Sequence, residues 1–403
     1  MAIVRAESHK TFGTLSALVV YACISVFVLS LWSLRLELTN DRGSPYRRAM
    51  QLTYEPEQDR RPFVYRVLTP YLVKTGAYLL AGDRDSARRE LFVEKSPYLR
   101  RLAARLNVER LRTPELVMFL AIHFVSLFGF ALSVRYLLGQ LWNTSRGIVD
   151  VGPAVALLCL LPLCSMARYV YDLPQLFLFS AALAALAGHR WGWFYLACIL
   201  GFLNKETTCL ISVGFAAYLW DQWPRKKLAL HLGLQLALFG VLRVIIVAVR
   251  DPGTALTAMD NDLPNYLVSN LISLWQSSAW FSYSELIVVL IVAVMLFRKF
   301  LEKPLFLRRT ALMFIPFFAA YLRGSLWGEV RVFLELYSIG FLFAFQNLAQ
   351  LLGYEMRVSD DRHGRPDRIL EAGSLSYLTL HVLMLAVGML LLSVAVMALA
   401  KYV

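Results

Sequence analysis

An apolar chain carries its charges at a cost, so the ionisable residues set inside or beside its apolar runs are where chemistry is to be sought. Asp172 is one. It stands in SMARYVYDLPQLFLF, residues 165–179, between apolar runs over 151–167 and 173–187, with Arg168 four residues before it. Lys205–Glu206 follow another apolar run, and Glu329–Arg331 precede a later one. Asp41, Arg60, Arg61 and Arg66 lie in the stretch after the first apolar run. Carboxylates are the side chains of a general base. Guanidiniums are the side chains that grip a phosphate through two parallel hydrogen bonds. Each residue also has a plainer reading. Asp41 in Thr-Asn-Asp-Arg-Gly suits a turn. Arg60 and Arg61 suit headgroup anchoring. Asp172 suits a cap for a helix starting at Leu173, with Pro174 in its first turn. Arg168 and Asp172 suit an i,i+4 pair, and Lys205–Glu206 an ion pair at a helix end. Glu335, six residues into an apolar run, suits an internal pair with Arg323 or Arg331. His123, flanked by Phe119 and Phe124, reads as a core residue.

The elements that position these groups are read from composition and length. Of the 403 residues, 58% are hydrophobic, and the mean hydropathy of +0.55 excludes an ordinary soluble domain, which averages roughly 45–50% apolar. Several runs approach the ~20 residues that span a bilayer. The fold class is therefore an all-α polytopic membrane protein, because a barrel would show short alternating strands. Spans are expected near 14–34, 115–138, 151–167, 174–188, 190–204, 207–223, 228–249, 284–300, 310–323, 331–352 and 377–399, about eleven in all. No small-residue cleavage site follows Thr14–Leu34, so it reads as a retained first helix. Residues 1–403 form a single integral membrane domain.

Segment 64–82 is apolar, but Pro62, Arg66, Pro70 and Lys74 recur every four residues on one helical face, which suits an interfacial helix. With 64–82 on the surface and the N-terminus (Arg5, Lys10) cytoplasmic, the loops holding Arg135 and Arg146, His189–Arg190, Arg225–Lys226–Lys227 and Arg298 to Arg309 all fall in the cytoplasm. So does the polar linker 353–376 before the last helix. This is the pattern of the positive-inside rule. The opposite face then collects Asp41, Arg60, Arg61, Asp172, Lys205, Glu206, Glu329 and Arg331. The long external loop 35–114 covers that face. Within it, 97–112 places Leu99, Leu102 and Leu106 against Arg100, Arg101 and Arg105, a basic amphipathic helix. The runs flanking Asp172 hold about 15–17 residues, roughly 22–26 Å, against a hydrocarbon core of ~30 Å. The charges they carry therefore sit below the surface, and intramembrane charges pair or line a hydrated cavity.

Net charge is +13. In a membrane chain this sets orientation and attracts anionic membrane lipids or phosphate, and nucleic acid is not the expected partner. Cys23, Cys159, Cys164, Cys198 and Cys209 fall in apolar runs without metal-ligand spacing, so neither a disulfide framework nor a zinc site is expected. No other metal-ligand cluster is legible, no G-x-x-x-x-G-K phosphate loop occurs, and no cofactor is expected.

LTNDRGSPYRRAM, DRRPFVYRVLTPYLV, ARYVYDLPQLFLFSAALAAL and LACILGFLNKETTCLI together resemble the bacterial predicted membrane glycosyltransferases of the GT-C superfamily, the type that depends on polyprenyl-phosphate sugars. The likeness covers about 30–220. The family's marks correspond here to Asp41, to Arg61 and Arg66 with Pro70, to Asp172 with Pro174, and to Lys205, Glu206 and Thr207. Many members carry a paired acidic motif in the first loop, where this chain has Asp41 with Glu37 one turn earlier. The resemblance implies sugar transfer from a polyprenyl-phosphate-linked donor, itself a substrate and not a cofactor, to an extracytoplasmic acceptor: an envelope glycan, a glycolipid or a protein. It implies catalytic carboxylates among Asp41, Asp172 and Glu206, and phosphate binding by Arg60, Arg61, Arg66, Lys205 and Arg331, with Arg168 and Glu329 lining the same cavity. A transporter or lipid flippase, and a non-catalytic subunit of a membrane assembly, are the alternatives. Transporters usually place their sites at the midplane on broken helices in internal repeats, and no repeat is visible here.

Overall fold

Backbone groups in lipid must be satisfied within their own segment, so apolar runs of this length fold as helices. The computed structural model describes residues 2–38, 66–83, 87–105, 112–164, 170–250, 298–324 and 334–359, and these are overwhelmingly helical. Among them, four helices are long and apolar enough to cross a membrane. They fall within α1 (Ala2–Leu38), α5 (Thr113–Leu141), the continuous stretch from α6 (Arg146–Cys159) into α7 (Leu161–Cys164), and α11 (Arg225–Arg250). Shorter apolar helices are α8 (Asp172–Ala187), α9 (Trp191–Asn204) and α10 (Ile211–Leu219). After α11 come α12 (Leu305–Thr310), α13 (Phe314–Gly324) and α14 (Tyr337–Leu351). The expected spans 284–300 and 377–399 fall mostly or wholly outside the described residues.

The core is built around α5, which packs along α8, α6 and α1. Pro114 and Glu115 in its first turn favour its start, the proline because its missing N–H is not needed there and the glutamate through the helix dipole. Gly129 permits the close approach to α8: a Cβ there would lie 2.5 Å from Phe177 Cε2. Helices α8 and α9 have 16 and 14 residues, or about 24 and 21 Å. Both are shorter than the ~30 Å hydrocarbon core, and neither is among the four helices long enough to cross a membrane.

The basic loops gather at one end. Tyr136 reaches Gly188, and Arg190 lies over the Tyr136 ring. The His189 ring stacks with Tyr218, 6.0 Å between centroids. Arg309 donates to the Ala217 and Tyr218 carbonyls at the end of α10 and pairs with Asp221. Lys303 Nζ donates at 2.8 Å to both the Phe343 carbonyl and Asn347 Oδ1 of α14. Two short strands, β1 (Trp142–Asn143) and β2 (Arg357–Val358), pair antiparallel and bring the 142 and 357 loops together. The loops grouped by charge in the sequence thus meet in space.

The opposite end is covered by part of the long loop. In it, α2 (Leu68–Ala81), α3 (Ala87–Glu94) and α4 (Pro97–Arg105) are described. Helix α2 buries Thr69, Val73, Ala77 and Ala81, one residue every four, and packs on α5. The expected polar stripe divides: Lys74 points outward, whereas Arg66 precedes the helix and is buried. In α4, Ala103 is buried and Leu99 and Leu102 are half-buried while Arg100 and Arg101 are exposed, the amphipathic arrangement expected; Leu106 lies outside the described residues. A buried ion pair, Arg89 Nη2 to Glu115 Oε1 at 2.5 Å, fastens α3 to the start of α5.

Candidate functional site

The site is organised by the break between α9 and α10. Asn204 ends α9, Lys205 is extended (φ −158°, ψ 136°), and Glu206 opens a 3-10 turn over Glu206–Leu210 that leads into α10. An extended residue between two helices sends adjacent side chains in opposite directions. Lys205 and Glu206 therefore do not form the expected pair with each other. Lys205 Nζ meets Glu335 Oε1 at 2.6 Å, just before α14. Glu206 takes a two-point grip from Arg66, with Nε to Oε2 at 3.1 Å and Nη2 to Oε1 closer still. Glu335 pairs with Lys205, a partner 130 residues away in the chain by their numbers; the expected partners Arg323 and Arg331 fall outside the residues whose side chains are described. The turn and α14 meet only in the fold. The same Glu335 oxygen accepts from Thr207 Oγ1 at 2.8 Å.

A neutral network holds the turn in place. Thr69 Oγ1 donates to Asn204 Oδ1 at 2.6 Å. Asn204 Nδ2 donates to the Tyr171 carbonyl and to Gln175 Oε1, both at 3.0 Å. Gln175 Nε2 donates to Thr208 Oγ1 at 2.6 Å, and that hydroxyl donates to the Lys205 carbonyl at 2.8 Å. The backbone N–H of Val67 adds a bond to the Leu203 carbonyl at 3.0 Å. Each side-chain group of Asn204 thus has a partner, as burial requires. The network joins α2, α8 and α9 to the turn. Gly201 lets the turn fold back on α9, since a Cβ there would lie 2.5 Å from Thr208 Cγ2.

Asp172 occupies the first turn of α8, where the helix dipole favours a carboxylate. It is not the expected cap: Tyr171 holds that position, and no side-chain cap bond is made. The Arg66 guanidinium lies over the Tyr171 ring, 4.3 Å from its centroid, and within the electrostatic reach of Asp172. Of the carboxylates described in this cluster, Asp172 is 2% exposed and Glu335 fully buried, whereas the Glu206 side chain is 28% exposed. Glu206 is the most accessible of these three.

The structure brings together Arg66, Asp172, Lys205 and Glu206. Asp41, Arg60, Arg61, Arg168, Glu329 and Arg331 lie outside the described residues. Sequence reading missed Asn204, Gln175 and Thr69, whose polarity at helix ends looked ordinary. It also passed over Arg243 of α11, a lone cation in the apolar run 228–249. His123 is a buried core residue, its ring stacked on Trp32 and Phe119 with Nδ1 2.8 Å from the Phe119 carbonyl. Among the described residues, no group of His, Cys, Asp or Glu could hold a metal ion.

What the arrangement offers chemically, among the described residues, is two cations, Arg66 and Lys205, set against three carboxylates, Asp172, Glu206 and Glu335, at the end of the bundle opposite the basic loops. No family model, curated protein or solved structure matches the chain.

Proposed function

We propose that the chain is a GT-C-type glycosyltransferase of the inverting kind. On this reading it moves a sugar from a polyprenyl-phosphate donor to an acceptor on the outer face of a bacterial cytoplasmic membrane. The observation that carries the reading is the convergence of Arg66, Asp172, Lys205 and Glu206, drawn from three segments far apart in sequence, at one end of the bundle. These are residues through which the sequence resembles that superfamily. The positive-inside rule assigns the basic end to the cytoplasm, and with it the N-terminus, which puts the cluster on the extracytoplasmic side. The shortness of α8 and α9 sets the cluster near the depth of a lipid phosphate.

In this reading Arg66 and Lys205, with Arg60, Arg61 and Arg331, bind the donor phosphate and stabilise the charge that grows on it as the glycosidic bond breaks. A carboxylate removes the proton of the acceptor hydroxyl. Asp41 is assigned that task, with Glu206 the accessible acid beside the phosphate and Asp172 behind Arg66. The test is transfer of labelled sugar in membranes containing the full chain. Asp41→Asn and Glu206→Gln each abolish the labelled product while the protein level in the membrane is unchanged. Full activity in Asp41→Asn removes the proposed base.

A further inference from the structure

Helix α2 is apolar on two faces. Its inner face, with Val73, Ala77 and Ala81, is buried. On its outer face Tyr71, Leu72, Tyr78 and Leu79 are between 48% and 69% exposed. Residues seven apart share a helical face, so Tyr71 stands with Tyr78 and Leu72 with Leu79. The next two helices of the same loop differ. Helix α3 turns Arg88 and Glu90 outward, and α4 turns Arg100 and Arg101 outward. A helix that is apolar all round belongs in a core or in a membrane, and a contiguous apolar patch marks a surface that meets an apolar partner. The outer face of α2 is built for such a partner.

The position of α2 on α5 says what the partner is. Gly76 lies against Met118 of α5 so closely that a Cβ has no room there. Met118 is half-buried, and Ala121, Val125 and Leu132, which follow on the same face of α5, are exposed. Helix α5 is long and apolar enough to cross a membrane, and an exposed apolar stripe on such a helix is the side that meets lipid. Helix α2 covers the stripe only near the start of α5 and carries its own apolar face there, so one apolar surface continues from α5 onto α2. With 14 residues, about 21 Å, α2 is too short to cross a hydrocarbon core of ~30 Å. Tyrosine favours the membrane–water interface. Lys74, between Tyr71 and Tyr78 and likewise exposed, has the reach to bring its ammonium to a headgroup phosphate, which an apolar protein partner would not supply. We infer that α2 is inserted into one leaflet, at the end opposite the basic loops, and that phospholipid acyl chains cover the face carrying Tyr71, Leu72, Tyr78 and Leu79. Helix α2 is then part of the lipid-facing wall, where the sequence suggested a cover lying on the surface. Residues 66–69 tie it to the turn through Arg66 to Glu206, Val67 to Leu203 and Thr69 to Asn204, so the lipid-facing helix and the candidate site share one anchor. The inference rests on the membrane reading of the chain and not on sugar transfer.

The test is photocrosslinking of the purified full chain in nanodiscs of dioleoylphosphatidylcholine. p-Benzoylphenylalanine replaces one residue at a time: Leu72, Tyr78 or Leu79 of α2, Val125 of α5, or Glu90 of α3. Each position is exposed, so each variant keeps the elution profile and melting temperature of the wild type. After irradiation, mass spectrometry reads what the benzophenone has captured. The mass of one phospholipid is added at Leu72, Tyr78 and Leu79, as at Val125, and not at Glu90. A lipid adduct at Val125 alone overturns the insertion of α2. Capture of a second copy, seen as a doubled mass, or of another segment of the same chain overturns acyl chains as the occupant. Equal lipid capture at Glu90 overturns the contrast between α2 and the helices after it. Absence of lipid at every position removes the lipid-facing stripe of α5 and the inference with it. No sugar donor enters the measurement, so failure at α2 alone leaves the proposed function standing.

Discussion

Lys205→Met isolates the ion pair that fixes the turn. Glu335 is fully buried. One of its oxygens takes both Lys205 and Thr207, and Oε2 has no hydrogen-bond partner among the described residues. Removing Lys205 leaves a carboxylate with a single neutral donor in a dry setting. Breaking a buried pair from one side costs about 3–5 kcal/mol, largely the desolvation of the charge left behind. At about 2 °C per kcal/mol, the lower end of the range for large domains, the melting temperature falls by roughly 6–10 °C. Glu335→Gln in the same chain removes that stranded charge and still accepts from Thr207, so Lys205→Met/Glu335→Gln recovers more than half of the loss. The assay is loss of the monodisperse peak with temperature, in detergent, across the four members of the cycle. An unchanged melting temperature in Lys205→Met, or strict additivity of the two substitutions, refutes the claim that this pair holds the turn.

Gly201→Ala drives a methyl into Thr208 and costs about 1–3 kcal/mol as overpacking; Thr208→Ser, which deletes the opposing methyl but keeps the hydroxyl, restores most of the melting temperature. Arg89→Met removes the buried ion pair to Glu115 and loosens the attachment of α3 and α4, read out as faster limited proteolysis within 82–112. Burial holds the Lys303 ammonium down at about 8, opposed by Glu302 and reinforced by Arg298 and Lys299. Between pH 8 and the ordinary 10.5 the unfolded chain holds the proton that the folded one has lost, so stability rises with pH across that window. Melting temperatures of the wild type minus those of Lys303→Met rise from pH 7.5 to pH 10, and a flat difference contradicts the assignment.

Much of the fold was legible because apolar length and loop charge are local signals. The runs that became α5, α9 and α11 were visible as such. The basic loops could be grouped before any contact was known, because topology alternates sides. The convergence of Arg66, Asp172, Lys205 and Glu206 at the other end followed from the same alternation. What could not be read was pairing. Glu335 stood out as a buried acid, but its cation comes from a turn that only the packing of α9, α10 and α14 brings near. Asp172 resembled a helix cap because Asp before Leu-Pro usually is one, yet α8 starts on it. The Thr69–Asn204–Gln175–Thr208 chain of hydrogen bonds left no trace, since each member is an unremarkable polar residue near a helix end.

Glycosyl transfer is tested most directly with the purified chain in proteoliposomes, supplied with labelled polyprenyl-monophosphate sugars and an extract of envelope acceptors. Label passes from the lipid to an acceptor, free polyprenyl phosphate accumulates in step, and both stop in Asp41→Asn and Glu206→Gln. Retention of all label on the lipid, together with solute uptake or lipid flipping by the same vesicles without any sugar donor, contradicts the account.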